Sequence, residues 1–275
     1  MPAKKKKKPE KPKKPKKKPP PATAAKTRKL PPAPAKARAV SATTGTPLTW
    51  RSTSVAGADA LTTLWQRRQL AASTGKYPFI VGSRDDLRRL RKSAEQAQPA
   101  QEILAAAERI DAGQWFAARR AAEREFFIRE AEGEWPTPRE DDGDGTAVPT
   151  PTFCAHCDSA GEVHPEVVLG TARIAESWQL PAVVRYGNWN ACPPPALHCA
   201  LHRHWHAEYG AEIISMSADV IECLVPQPPT TREAALALAW EQYWYCSDIV
   251  EQGCESVSAL AAALLDSDYW FFWWD

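Results

Sequence analysis

Apolar residues recur at helical spacing through much of residues 61–131, and at strand spacing or in short runs through 165–275. Residues 61–70 predict a short helix. Tyr77-Pro78-Phe79-Ile80-Val81-Gly82 predicts a strand stopped by glycine. Ser83 then opens a helix with Asp85 and Asp86 in its first turn and Arg88, Arg89, Arg91 and Lys92 toward its end. That charge order suits the helix dipole. Pro99 opens another helix, whose apolar face carries Ile103, Leu104, Ala107 and Ile110. A third is predicted over about residues 112–131, with Trp115, Phe116, Ala118, Ala122, Phe126 and Phe127 on its buried side. Residues 132–152 break the pattern with Asp141, Asp142 and Asp144, three glycines and four prolines, and read as an acidic loop.

The second half has clearer punctuation. Residues 167–169 and 181–186 read as strands, and a Gly-Asn-Trp-Asn turn follows at 187–190. Three prolines at 193–195 lead into a helix that Gly210 ends. Residues 211–217 and 219–225 predict two strands joined by a tight turn at Ala218. Thr230 and Glu233 have capping-box spacing before an Ala/Leu/Trp run, predicting a helix that lasts to Gly253. A shorter helix is expected over 256–265, and the terminal aromatic run 269–275 predicts a strand. From residue 181 the expected order is β-α-β-β-α-β, the ferredoxin-like sequence of elements. The fold class is therefore α+β, with helices packed on one face of a sheet.

Charge divides the chain in two. Residues 1–40 hold sixteen Lys or Arg and one acid, Glu10, among ten prolines. With 35 bases and 33 acids in the whole chain, residues 41–275 hold 19 and 32, so a segment of +15 precedes a body of −13. A Lys/Pro segment has too little apolar surface to fold, so a disordered, extended polycation is expected, with serine- and threonine-rich linker to residue 60. The expected division is thus 1–60 tail and linker and 61–275 body, the body comprising a helical part 61–131, the acidic loop 132–152 and a core 153–275. Lys4, Lys5, Lys6, Lys7, Lys8, Lys11, Lys13, Lys14, Lys16, Lys17 and Lys18 would track phosphates of a nucleic acid or another polyanion. No aromatic precedes Trp50, so such binding would lack sequence specificity. The segment has no apolar stretch of the kind that follows the charges in a secretory signal. No apolar run reaches the ~20 residues of a membrane span, and seven cysteines, an odd number, argue against a full disulfide framework. A cytoplasmic, nucleoid-associated protein is the expectation.

Several motifs occur in a fixed order: LPAVVRYGNWNACPPP at 180–195, Trp-His at 205–206, YGAE at 209–212, SADVIECLV at 217–225, TREAALALAWEQYWYCSDIVEQG at 231–253 and WFFWWD at 270–275. Together they closely resemble the bacterial domain-of-unknown-function family 4253, over roughly residues 165–275. The resemblance implies a bacterial cytoplasmic protein and no particular reaction. Cys192, His198 and His206 are typical of that family. Cys154, Cys157, Cys199, His202 and the Lys/Pro tail are departures from it.

Three constellations carry candidate chemistry. Cys154-Ala-His-Cys157 has the C-x2-C spacing of a zinc knuckle, with His164, Cys192, Cys199 and His202 available to complete it. No second pair stands at finger spacing, so no cofactor is expected, and a zinc at this one motif is the lesser alternative. His198, His202 and His206 recur every four residues on one helix flank, half-exposed by expectation, and lack the carboxylate of a zinc-protease helix. Trp189, Asn190 and Cys192 lie on a strand-to-helix turn suited to a ligand, although Asn190 could instead cap the helix. Tyr245, Asp248 and Gln252 end the long helix and could face the same pocket or water. Cys192 with His198 or His206 would make an acyl-transfer pair if they met.

The reading drawn from these features is an acidic α+β binding module that recognises a protein or small ligand, with a polyanion-binding tail. The rival readings are an enzyme built on Cys192 and one of the two histidines, and a zinc-stabilised scaffold through Cys154 and Cys157. No P-loop, dinucleotide fingerprint or G-x-S-x-G elbow occurs.

Overall fold

The computed structural model describes residues 49–95, 97–130, 153–158, 160–254 and 256–275. Six strands form one sheet: β1 (Trp50–Ala56), β2 (Tyr77–Gly82), β3 (Glu166–Ala172), β4 (Glu212–Met216), β5 (Val220–Leu224) and β6 (Tyr269–Trp273). Their order is β1-β3-β2-β4-β5-β6, antiparallel at every junction except β2–β4, where Ile80 pairs with Ser215 in parallel.

The helices are α1 (Ala60–Gln69), α2 (Ala71–Thr74), α3 (Arg84–Ala94), α4 (Ala100–Glu108), α5 (Ala112–Glu130), α6 (Leu180–Val184), α7 (Pro195–Tyr209), α8 (Arg232–Tyr245) and α9 (Val257–Leu264). Alternation along the strands sends side chains to two faces. One face presents Phe79, Val81, Val168, Ile221, Cys223, Trp270 and Phe272 to a core completed by Leu201 and Trp205 of α7, Leu238 and Tyr245 of α8, and Leu260 and Leu264 of α9. The other presents Ile80, Val167 and Leu169 to Ala60 and Leu64 of α1 and to Ala155. The sheet is thus covered on both faces, not on one, and the larger layer lies over α7–α9. Arg68, 6% exposed, ties α1 to the sheet by pairing with Glu212 and donating to the Tyr77 hydroxyl at 2.8 Å.

Local signals explain several helix ends. Ser83 caps α3 in a reciprocal box with Asp86. Pro99 and Pro194 stand before α4 and α7, where their missing N–H groups cost nothing. Gly210 ends α7 in the left-handed conformation, at φ +66°. Gly170 on β3 clears the way for a neighbour: a Cβ there would sit 2.2 Å from the Phe79 ring.

Six expectations are corrected. Residues 181–186 are not a strand. Leu180 to Val184 form α6, with Pro181 in its first turn and all five side chains buried. A short run of buried apolar residues fits a strand or a core helix equally, and a proline is well accommodated in a helix's first turn. The ferredoxin-like order fails with it: from residue 180 the chain runs α6-α7-β4-β5-α8-α9-β6. Residues 50–56, read as linker, are the edge strand β1, whose open side tolerates Ser and Thr. The cap of α8 is Thr231, which accepts from the Ala234 N–H, and not Thr230. That helix also stops at Tyr245 and resumes as a π turn, Val250–Cys254, instead of continuing to Gly253. On α5, Phe116 is buried and Trp115 half-buried, but Ala118 and Ala122 are exposed. The side chains of Phe126 and Phe127, the acidic loop 132–152 and the Lys/Pro tail lie outside the described residues.

Candidate functional site

The break after Tyr245 and the four-residue spacing on α7 bring five polar side chains into line inside the larger core. Cys192 Sγ lies 3.4 Å from His198 Nε2, and His198 Nδ1 lies 2.5 Å from the Tyr245 hydroxyl. The same hydroxyl lies 2.9 Å from His202 Nε2, whose Nδ1 is 3.8 Å from Cys223 Sγ. None of the five is more than 4% exposed. Trp205, Phe272 and Trp274 pack around Tyr245 with ring centroids 5.0–5.2 Å away.

Donor and acceptor counting makes this line a one-way relay. Each neutral imidazole has one N–H and one bare nitrogen, and the phenol has one proton to give. The protons therefore all point from Cys192 toward Cys223, or all point back. Either arrangement keeps every member neutral and bonded at both contacts. Burial enforces that neutrality. It pulls His198 well below the ordinary imidazole value, helped by His202, and pulls His202 down to about 3. Burial likewise pushes the thiols of Cys192 and Cys223 and the Tyr245 phenol up. Cys192 is thus a thiol in this state and not a thiolate.

The remaining predicted residues fall at varying distances from this line. Trp189 is half-buried with its ring edge-on to Tyr186 at 4.9 Å. Asn190 is exposed and does not cap α7; its amide donates to the Asp275 carbonyl at 2.7 Å. Asp248 accepts from the Asp275 N–H at 2.9 Å, so Asn190, Asp275 and Asp248 close over the same end of the core. Gln252 is exposed on the π turn. His206 takes no part: its Nδ1 is 3.1 Å from the Ala211 carbonyl and its Nε2 is 3.4 Å from Glu176. The helix flank expected to be half-exposed is therefore buried at His198 and His202, and only His206 reaches the surface.

On the opposite face of the sheet, the Cys154–Cys157 stretch does something other than gather ligands. Glu222, 0% exposed on β5, accepts the N–H of Cys154 at 2.5 Å, the N–H of Ala155 at 3.3 Å and the Tyr269 hydroxyl at 2.6 Å. The turn closes through the Cys157 N–H to the Cys154 carbonyl at 2.8 Å. Burial, then the Glu222 carboxylate, raises both thiols, the opposite of what metal binding needs. Among the described residues no group of three or more His, Cys, Asp or Glu is arranged to hold a metal, and Cys154, Cys157 and His164 do not form one. A surface depression of about 410 Å³ lies elsewhere, between the α4–α5 turn and α7, lined by Arg109, Asp111, Arg203 and His204.

The sequence reading missed Glu222, Cys223, Tyr186 and Trp274 as partners. His202 was visible as the i+4 neighbour of His198, but nothing in the linear pattern joined either to Tyr245.

Residues 168–275 match the family model described as "Domain of unknown function (DUF4253)". The resemblance carried by the motifs of the C-terminal part is thereby borne out. Comparisons with curated proteins and with solved structures gave no match. Among the described residues no helix is long and apolar enough to cross a membrane.

Proposed function

We propose that this is a binding module and not an enzyme: an acidic α+β body that recognises a protein or small ligand, held near polyanions by its Lys/Pro arm. The observation that carries this reading is the division of charge, +15 in residues 1–40 against −13 in 41–275. A polycation gains affinity by releasing counterions from phosphates, whatever the base sequence. The cytoplasm, with association to the nucleoid, is the setting that fits such an arm. The body offers a different surface. Where α5 faces α8 stand the half-buried rings of Trp115, Tyr243 and Trp244; Trp244 donates to Glu123 at 2.5 Å, Tyr243 to Glu251 at 3.3 Å, and the Arg119 guanidinium lies 5.6 Å from the Trp115 ring. Aromatic faces on a body of net negative charge suit a basic partner.

The two rivals fit less well. Cys192 and His198 meet, but as a neutral, buried pair, so catalysis would require a different state of the 187–193 turn. A zinc scaffold through Cys154 and Cys157 would need ligands that the Glu222 cradle does not supply.

The test is binding of a labelled DNA duplex by fluorescence anisotropy over a salt series, using the full chain and a variant with the eleven lysines at 4–18 changed to serine. The intact protein should lose affinity roughly a thousandfold between about 50 and 200 mM salt if six or more phosphates are engaged. The variant should bind weakly throughout. Equal binding by both proteins refutes the role of the arm.

A further inference from the structure

The turn that carries Cys192 is the most strained segment among the described residues. Arg185, Gly187, Asn188 and Asn190 all lie at positive φ, at 63°, 107°, 71° and 44°. Left-handed conformations in residues other than glycine cost about 1 kcal/mol or more each and persist only when the surroundings hold them. What holds them here is a small number of contacts. The Asn188 N–H donates to the Pro193 carbonyl at 2.9 Å, and the Cys192 N–H to the Trp189 carbonyl at 2.8 Å. Among the described residues the tip is held from outside by the Trp189 ring against Tyr186 and by the Asn190 amide on Asp275, which Asp248 fixes in turn.

Beneath this turn, two polar groups have no hydrogen-bond partner among the described residues: the Tyr186 hydroxyl and the Trp274 indole N–H. Both residues are at most 1% exposed, and their rings lie 5.2 and 5.3 Å from the His198 ring. Buried donors left open beside a thiol–imidazole contact mark a place suited to a polar group that this structure does not contain. Gly187 packs tightly on the same imidazole, since a Cβ there would meet His198 Nε2 at 2.7 Å.

We propose that Cys192 is a gated thiol, modified by low-molecular-weight disulfides when the 187–193 turn lifts off its Asn190–Asp275–Asp248 latch. In the closed state the thiol is protonated, buried and unreactive. When the turn lifts, water reaches Cys192, and His198 Nε2, 3.4 Å away, is placed to take its proton. Sγ attacks one sulfur of the disulfide, a new S–S bond forms as the old one breaks, and the electron pair leaves on the departing sulfur. The proton held by His198 then passes to that thiolate. The products are a mixed disulfide on Cys192 and one free small thiol, with the histidine neutral again. The Tyr245–His202 bond holds the His198 ring in place throughout, so Tyr245 is a positioning residue.

The experiment exposes the folded full-length chain to glutathione disulfide and maps mixed disulfides over time by peptide mass spectrometry. Cys223, at the other end of the same relay and 0% exposed, is the internal control for unfolding. Cys192 should be modified well ahead of Cys223. Asn190→Ala, an exposed position, and Asp248→Ala, which removes the acceptor of the Asp275 N–H, should each raise the Cys192 rate roughly three- to tenfold, the factor expected for one lost hydrogen bond, with the Cys223 rate unchanged. If Cys192 and Cys223 react together in every variant, only unfolding uncovers the thiol and the proposal fails. If Cys192 leads but neither latch variant changes its rate, the gate is not this one and the proposal fails as well. Neither outcome bears on the polyanion reading, which is scored on DNA binding alone.

Discussion

At the scale of single residues, the five-member relay decides more than any other feature, because each of its atoms was taken from water and matched to one partner. Tyr245→Phe keeps the ring and deletes the oxygen that serves both His198 and His202. Two buried imidazole nitrogens then lose their partner, and the expected cost is about 2–4 kcal/mol in urea unfolding. A loss under about 0.5 kcal/mol would mean that the relay contributes little to stability. The pH dependence follows from the same burial. His198 and His202 protonate far more readily in the unfolded chain than in the folded one. The stability tied to their neutral forms is therefore complete above about pH 6.5 and is lost as pH falls toward 3, where His202 itself titrates. Between about pH 7 and 5 the unfolding free energy should drop, with a slope approaching about 1.4 kcal/mol per pH unit for each histidine. His204, raised mainly by its bond to Glu241, works in the opposite sense and softens the slope. A flat profile over that range would contradict the burial of the pair.

Among the elements, β6 and the 187–193 turn have the most leverage. Among the described residues β6 pairs with β5 alone, yet Trp270, Phe272 and the adjoining Trp274 are each at most 1% exposed. The Phe272 ring stacks on Trp205 at 5.6 Å, joining the edge strand to the middle of α7. Phe272→Ala should cost about 3–5 kcal/mol, read as a lowered urea midpoint, because a cavity there is ringed by rigid aromatics that cannot collapse into it. The turn is vulnerable in another way. Gly187→Ala puts a methyl group 2.1 Å from the Pro193 carbonyl at φ +107°. Local calorimetric destabilisation and early modification of Cys192 should appear together; an unaffected melting curve would show the turn to be looser than described. The helix–strand confusion at 180–184 belongs to this scale as well. Five apolar residues in a row announce burial but carry no period, and only packing against α4 and α7 selects the helix.

For the whole molecule, the arm and the body are expected to be separable. A chain starting at residue 41 should keep its melting temperature within about 2 °C, since β1 begins only at Trp50 and ordinary surface changes stay within ±0.5 kcal/mol. A large loss would show that the arm packs on the body. The acidic body also holds its sheet closed on both faces, so what it offers a partner is its surface: the aromatic rings between α5 and α8 and the edge strand β1.

The sequence by itself determined the division of charge, the α+β class, the starts of α3 and α4, both ends of α7 and α9, five of the six strands and the family likeness of residues 168–275. Those properties are written in neighbours along the chain: caps, prolines, glycines, alternation and counts of charge. Only the tertiary structure decided that His198 meets Tyr245, 47 positions away, that Cys192 turns inward, and that the C-x2-C turn wraps a buried carboxylate. The physical reason is that a histidine, cysteine or glutamate has the same local pattern in water as in a core. Its protonation and its partner are set by which distant elements exclude solvent around it.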